Sequence, residues 1–275
     1  MIGAAILRRL LAGVLCRFVV LLAVAQFAVR HLRADAIPVK EKQGTMHGFL
    51  VLKSAEGKII AMGTEINTVE GNRVRSRTTF HFRDGSIDEE VSTFTQERVF
   101  QLISDHHIQK GPSFPDPMDL SINVPAKTVS WREIKHGKAE RRIEHMDLPP
   151  DLANGMTSLI VQNFPANAAE LKVSYLAGAS KPRVVKLSAK PDGGETFRVA
   201  GVSRRHSKRY KIQVEIGGLA GVVAPLVGKQ PSDVEMWVTA GEVATFLKMV
   251  GPLYEKGPIW TMQLAAPVWP ETTRR

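Results

Sequence analysis

From Met46 onward the chain alternates apolar and polar residues with a period of two, the pattern of antiparallel strands with one buried and one exposed face. Turn-forming pairs such as Gly71-Asn72 and Asp84-Gly85 interrupt the alternation, because glycine and asparagine can adopt the positive φ of a tight hairpin. The chain is therefore expected to fold mainly as antiparallel sheet. The predicted strands form a meander over 46–145 (46–53, 58–68, 73–83, 86–95, 99–109, 118–124, 127–134 and 139–145) and a second set over 170–265 (170–177, 183–190, 195–202, 207–216, 233–239 and 258–265).

One segment between the two sets has helical periodicity. Pro149 and Pro150 end the first set, and residues 151–164 then place apolar side chains three and four positions apart. A helix with one apolar stripe has to bury it, and the apolar face of the sheet is the available partner. We therefore predict a single β-rich domain over 37–275, a large curved antiparallel sheet or flattened half-barrel with the helix packed in its concave face.

The first 36 residues have the composition of an export signal. Basic residues accompany an apolar stretch, and Ala34-Asp35-Ala36 has the small-x-small form that signal peptidase accepts. We expect residues 1–36 to be a signal peptide, which places the protein in the periplasm or cell envelope. The alternative is an uncleaved anchor over 10–29, although Arg17 in the middle of a membrane span is costly.

Cysteine usage and charge exclude some kinds of partner and indicate others. The one cysteine, Cys16, lies in the leader, so the exported part has no disulfide framework and no cysteine-based zinc site. The chain carries a net charge of +10, and the segment from Leu171 to Lys211 holds eleven basic residues against two acidic ones. Six of these cations share the outward face of their strands and are candidates for contact with an anionic membrane surface or envelope polymer: Lys172, Lys186, Lys190, Arg198, Arg209 and Lys211. A simply solvated face is the alternative, and nucleic acid is not expected, since outward aromatic residues are not interleaved with the cations.

The Asp84-Gly85 hairpin predicts the register of its two strands. If the turn has two residues, Arg83 opposes Ser86, and Phe80 then opposes Glu89 on the apolar face. Glu89 is therefore expected as a carboxylate on the inner side of the sheet.

The next strand adds a hydroxyl and an imidazole to that face. Its even residues include Ser104 and His106, which with Glu89 are the residue types of a nucleophile, a base and an orienting carboxylate. They are the candidate catalytic residues of a hydrolase. A structural or ligand-facing polar cluster is the favoured alternative, since no nucleophile elbow surrounds Ser104. Neither a metal nor another cofactor is expected, because the neighbours His106 and His107 point to opposite faces of a strand.

The concave face is either a pocket or a packed core. In the favoured interpretation the protein carries an apolar or lipidic ligand between sheet and helix, and an empty apolar space lies beside Met156 and Ile160. Six side chains are then expected to line it: Phe80, Phe82, Leu102, Leu152, Met156 and Ile160. In the alternative, the core is filled and the protein is an interaction scaffold.

Two segments, Ser104–Pro112 (SDHHIQKGP) and Leu148–Met156 (LPPDLANGM), resemble those of an uncharacterised secreted bacterial family of unknown function. The expected architecture over 46–265 resembles the half-barrel of the outer-membrane lipoprotein carrier class. The resemblance implies export and a curved sheet around a helix. It assigns no functional residue.

Overall fold

The described part of the chain forms one antiparallel sheet of fifteen strands and one short helix. The computed structural model describes residues 36–135, 138–178, 181–199, 203–215 and 231–265, which belong to one compact unit, Asp35–Arg275. Residues 1–35 of the predicted export signal lie outside the described residues. Within the described ranges, no helix is long and apolar enough to cross a membrane.

The strands follow the alternation of the sequence closely. The first half contains β1 Met46–Lys53, β2 Ile59–Glu70, β3 Arg73–Phe82, β4 Ile87–Gln96, β5 Phe100–Lys110, β6 Met118–Asn123, β7 Thr128–Lys135 and β8 Lys138–His145. The second contains β9 Leu171–Ala177, β10 Arg183–Pro191, β11 Thr196–Val199, β12 Ser203–Glu215, β13 Val234–Thr239, β14 Phe246–Gly251 and β15 Trp260–Leu264. The sequence predicts all of them except β14, whose single polar residue, Lys248, leaves too little alternation to recognise.

The first and last described strands meet in the middle of the sheet. Strand β1 pairs with β15, with Leu50 opposite Leu264. The order is β8-β7-β6-β5-β4-β3-β2-β1-β15-β14-β13-β12-β10-β9, and β11 pairs with β12 outside this path. The sheet is therefore open, with β8 and β9 at its edges.

Side chains from distant strands meet on the inner face, so the sheet is curved. The rings of Phe82 on β3 and Trp260 on β15 have their centroids 5.5 Å apart. Glu90 on β4 and Tyr175 on β9 line one interior cavity, although many strands separate β4 from β9 in the sheet. The predicted fold class, a mainly β protein with one large antiparallel sheet, is confirmed.

Large apolar side chains fill most of the inner face. Phe80 and Phe94 are each 1% exposed. Opposite Phe80 lies Gly63, where a Cβ atom would come within 2.5 Å of the Phe80 ring. Glycine is therefore required at position 63 for the aromatic ring to lie flat across the neighbouring strand.

The helix predicted over 151–164 is shorter in the structure. Helix α1 covers Thr157–Gln162 only. Gly155 has a φ of +65°, a left-handed conformation that a right-handed helix cannot contain. The apolar stripe is nevertheless buried, with Leu159 at 4% and Ile160 at 0% exposure.

Residues 151–156, named the strap from here on, use their polar groups to cover the edge strand β9. Ala153 N–H donates to the Ser174 carbonyl (2.9 Å), and Ser174 N–H donates to the Asp151 carbonyl (3.2 Å). The Asn154 side chain pairs with both backbone groups of Leu176, donating to its carbonyl at 3.0 Å and accepting from its N–H at 2.8 Å. Because the strap bonds β9 in this way, its backbone is not available for the first turns of a helix.

The hairpin register predicted from Asp84-Gly85 is wrong by one residue. The loop has three residues, 83–85, and Gly85 closes it with a φ of +85°. Phe80 consequently opposes Asp88. Because side chains alternate between faces, this shift moves Glu89 to the outer face.

A bulge in β5 also changes which residues face inward. Thr93 on β4 pairs with Ser104, whereas the next residue, Phe94, pairs with Leu102. Ile103 is the extra residue, and the alternation of β5 reverses beyond it. The even residues of β5 after the bulge therefore lie on the outer face.

Candidate functional site: a buried acidic cluster beside an interior cavity

The shifted register and the bulge together build a polar cluster inside the sheet. Strand β4 contributes Asp88, Glu90 and Ser92, and β5 contributes Asp105 and His107. Asp88 is 8% exposed, Ser92 1% and Asp105 2%. These five residues are named the acidic cluster, since three carboxyl groups surround one imidazole.

His107 is the cationic centre of the acidic cluster. Its Nε2–H donates to Asp88 Oδ1 at 2.7 Å, and its Nδ1 lies 3.8 Å from Glu90 Oε1. Burial alone would lower the pKa of His107, but the carboxylates of Glu90, Asp88 and Asp105 outweigh it and raise the pKa to about 9. The imidazole is therefore protonated at neutral pH.

Asp105 is the least satisfied carboxyl of the acidic cluster. Ser92 Oγ donates to its Oδ1 at 2.8 Å, whereas its Oδ2 is buried with no hydrogen-bond partner among the described residues. Burial, followed by the negative charge of Glu90, raises the pKa of Asp105 to about 8. Asp105 is therefore largely neutral at pH 7, which limits the repulsion between the carboxyl groups.

The strap closes over the acidic cluster at Gly155. A Cβ atom at Gly155 would lie 1.5 Å from Ser92 Oγ, so only glycine allows this approach. Burial raises the pKa of Glu90, and the charge of His107 and then the backbone N–H of Gly155 partly offset that rise. The strap is thus bonded to the sheet edge and in close contact with the site.

A cavity of about 180 Å³ lies next to the acidic cluster. Its polar lining includes Glu65 and Asn67 from β2 and Ser76 and Thr78 from β3, together with Glu90, His107, Thr157, Ser158 and Tyr175. Its apolar lining includes Leu50, Phe94, Leu159, Met236, Phe246, Met249, Leu253 and Met262. Burial followed by the cluster carboxylates raises the pKa of Tyr175, so its hydroxyl stays protonated. The cavity lining therefore combines hydrogen-bonding groups with apolar side chains.

The structure places the candidate catalytic residues together, but on the outer face. Ser104, His106 and Glu89 line an outer groove of about 590 Å³. His106 Nε2 lies 2.9 Å from Asp119 Oδ1, and Glu89 accepts a hydrogen bond from Thr79 at 3.2 Å. No hydrogen bond joins Ser104, His106 and Glu89 to one another in the described structure, so they do not form a triad.

The six residues expected to line a ligand lie in the packed core. Their exposures range from 0% to 7%, and none of them lines the interior cavity: Phe80, Phe82, Leu102, Leu152, Met156 and Ile160. The space beside Met156 and Ile160 is therefore filled by side chains. The interior space lies instead beside the polar residues of β2 to β5.

The outward cations are paired with carboxylates of the same chain. Five of them have a partner within 3.2 Å: Lys172 with Glu215, Lys186 with Asp151, Lys190 with Glu170, Arg209 with Asp192 and Lys211 with Asp233. The side chain of Arg198 lies outside the described residues. Most of these acids come from outside the segment 171–211, which explains why that segment looks so basic in isolation.

Metal binding has no candidate site in the described ranges. No three His, Cys, Asp or Glu side chains there are placed to hold a metal ion. In the acidic cluster, the imidazole of His107 is instead surrounded by carboxyl groups.

The two-residue turn predicted from Asp84-Gly85 turns Asp88 and Glu90 outward, so the sequence does not predict the acidic cluster. A glycine at the third position, as in Arg83-Asp84-Gly85, is also typical of a three-residue hairpin loop. That register alone would have turned Asp88 and Glu90 inward. The bulge at Ile103 has no comparable signal in the sequence.

Comparisons with known proteins give no family and no function. No family model matches the chain, and no curated protein matches it. One solved structure that it resembles is a β-barrel-like protein, a domain of unknown function (DUF1849) from Brucella abortus, with 7% sequence identity and a TM-score of 0.44. The match covers 84% of this chain and 100% of that one.

Proposed function

We propose that this chain is an exported envelope protein that binds a small amphipathic molecule in its interior cavity. The observation that carries the proposal is the mixed lining of that cavity. Hydrogen-bonding groups such as Glu65 and Asn67 line it together with apolar groups such as Phe94 and Phe246. Binding sites for small molecules typically combine an apolar wall with a few placed polar groups.

The size of the cavity limits the ligand. An apolar cavity of about 150 Å³ holds benzene, and sites for drug-sized ligands span about 300–1,000 Å³. At about 180 Å³, the cavity suits a benzene-sized group with one short polar substituent. The ligand proposed here is therefore smaller than the lipid that the sequence suggested.

Export and contact with an anionic envelope surface are the other parts of the proposal. The predicted leader supports export, and the cation-rich strands β9 to β12 support the contact. An anionic surface would have to compete with carboxylates such as Asp151, which already pairs with Lys186 at 2.7 Å. The interior cavity therefore supports the function more directly than the basic face does.

Three monosubstituted benzenes of similar size test binding in the cavity: benzyl alcohol, benzylamine and benzoate. We expect isothermal titration calorimetry to show one-to-one binding of at least one of them. The Ser76→Leu substitution fills part of the cavity and should abolish that binding. The matched variant Ser121→Leu, on the outer face, should retain it. If none of the three compounds binds, or if Ser76→Leu binds them as the native chain does, the interior is only a core and the scaffold interpretation replaces this one.

A further inference from the structure

On the inner face of β2, one buried polar atom lacks a partner and a carboxyl group lies two residues away. Asn67 is 2% exposed, and its Oδ1 is buried without a hydrogen-bond partner among the described residues. Burial raises the pKa of Glu65, and no hydrogen bond or ion pair from the described side chains offsets it. Since buried polar groups are nearly always satisfied, Asn67 Oδ1 points to a ligand that donates a hydrogen bond to it, and the half-buried Glu65 on the same face of β2 adds a carboxyl group.

The chemistry of the missing partner follows from the atoms that line the cavity. Glu65 and Glu90 provide carboxyl oxygens, and Asn67 provides an amide oxygen. No lysine or arginine is among the described residues that line the cavity. The one cation there, His107, already contacts Asp88 and Glu90. A ligand that donates hydrogen bonds and carries positive charge therefore complements this side of the cavity.

The apolar residues of the cavity suit the rest of such a ligand. The rings of Phe94 and Phe246 and the thioether of Met249 face the same space. Aromatic faces attract cations, and thioethers pack adaptably around apolar groups. An ammonium group on a short apolar body would thus meet favourable polar and apolar groups in this cavity.

We infer that the cavity binds a small amphipathic amine as its ammonium ion, which donates to the Glu65 carboxylate and to Asn67 Oδ1. This inference rests on the proposed function, because it assigns the ligand class of the same cavity. The apolar part of the amine packs against Phe94 and Phe246.

The three monosubstituted benzenes also test this assignment, because they differ mainly in charge. At pH 7 benzylamine should bind at least about tenfold more tightly than benzyl alcohol, and benzoate should not bind measurably. Equal or tighter binding of benzyl alcohol or benzoate would overturn the amine assignment while leaving the proposed function intact. Absence of binding by all three would overturn both.

Substitutions at the polar side identify the groups responsible. Glu65→Gln should remove the preference for benzylamine while leaving benzyl alcohol binding within about twofold. The matched variant Glu89→Gln, on the outer face, should keep the preference. Asn67→Leu gives a second reading, because replacing an unpartnered amide by an apolar group of similar size should not impair folding. If both Glu65→Gln and Asn67→Leu bind benzylamine as tightly as the native chain does, the ammonium ion is not held by β2 and the assignment is wrong.

Discussion

The buried carboxyl of Asp105 makes the stability of the fold depend on pH. The folded-state pKa is raised to about 8, whereas an aspartate in the unfolded chain titrates at about 3.9. Between pH 5 and pH 7 the folded protein therefore holds a proton that the unfolded chain has released. A difference of one bound proton lowers the free energy of unfolding by about 1.4 kcal/mol for each unit by which the pH rises.

The Asp105→Asn variant isolates this contribution. Asparagine keeps the acceptor for Ser92 Oγ and resembles the neutral carboxyl, so the other groups of the acidic cluster are little affected in this pH range. Its free energy of unfolding minus that of the native chain should rise by about 3 kcal/mol from pH 5 to pH 7 and level off above pH 8. The stabilisation that protonated His107 provides is lost between about pH 6.5 and about pH 9 in both proteins, so its effect cancels in the difference.

Urea unfolding followed by circular dichroism at pH 5, 6 and 7 measures that difference. Asp147→Asn is the control, because the Asp147 side chain is 95% exposed, and its difference from the native chain should be nearly constant over this range. A difference for Asp105→Asn that does not change with pH, or that falls as the pH rises, would refute the assignment of Asp105 as a buried neutral carboxyl.

Two further substitutions test the packing that shapes the site. Gly63→Ala should destabilise the fold by about 1–3 kcal/mol in thermal or urea unfolding, because the added methyl group meets the Phe80 ring. The control Gly44→Ala should be close to neutral, since nothing lies within 4 Å of the new Cβ. Equal effects of the two substitutions would show that the Phe80 ring moves freely. Asn154→Ala removes both hydrogen bonds to the Leu176 backbone and should lower the free energy of unfolding by about 2–4 kcal/mol, since two buried groups lose their partners. A decrease below about 0.5 kcal/mol would indicate that the strap contributes little to stability.

The sequence predicts the class of the fold better than the side on which residues lie. Alternation identifies all the described strands except β14, because a strand with one buried face alternates apolar and polar residues along the chain. The face on which Glu89 lies depends on one residue of turn length. Asp84-Gly85 is compatible with both lengths, and the structure adopts the longer one.

The candidate site shows how two such errors combine. The wrong turn length misplaced Glu89, and the bulge at Ile103 misplaced Ser104 and His106. Both errors moved residues from the outer to the inner face, so the three residues do share a surface, but it is the outer groove. The residues that face inward are their sequence neighbours, among them His107.

Long-range pairing accounts for the other differences. The 151–164 segment has a helical pattern, but β9 needs hydrogen-bond partners at its open edge, and the strap provides them. The basic segment 171–211 is neutralised by acids such as Glu170 and Asp233, which lie outside it in the chain. Local sequence windows contain neither kind of information.

The pairing of β1 with β15 has a consequence for how the chain folds. The other pairings join strands that are neighbours or near neighbours along the chain, so each half can form from local contacts. The pairing of Leu50 with Leu264, in contrast, closes a loop of nearly the whole described chain. Strand β1 therefore keeps an unpaired edge until the last described strand has been made. During that interval the emerging chain is most prone to pair with a second copy of itself.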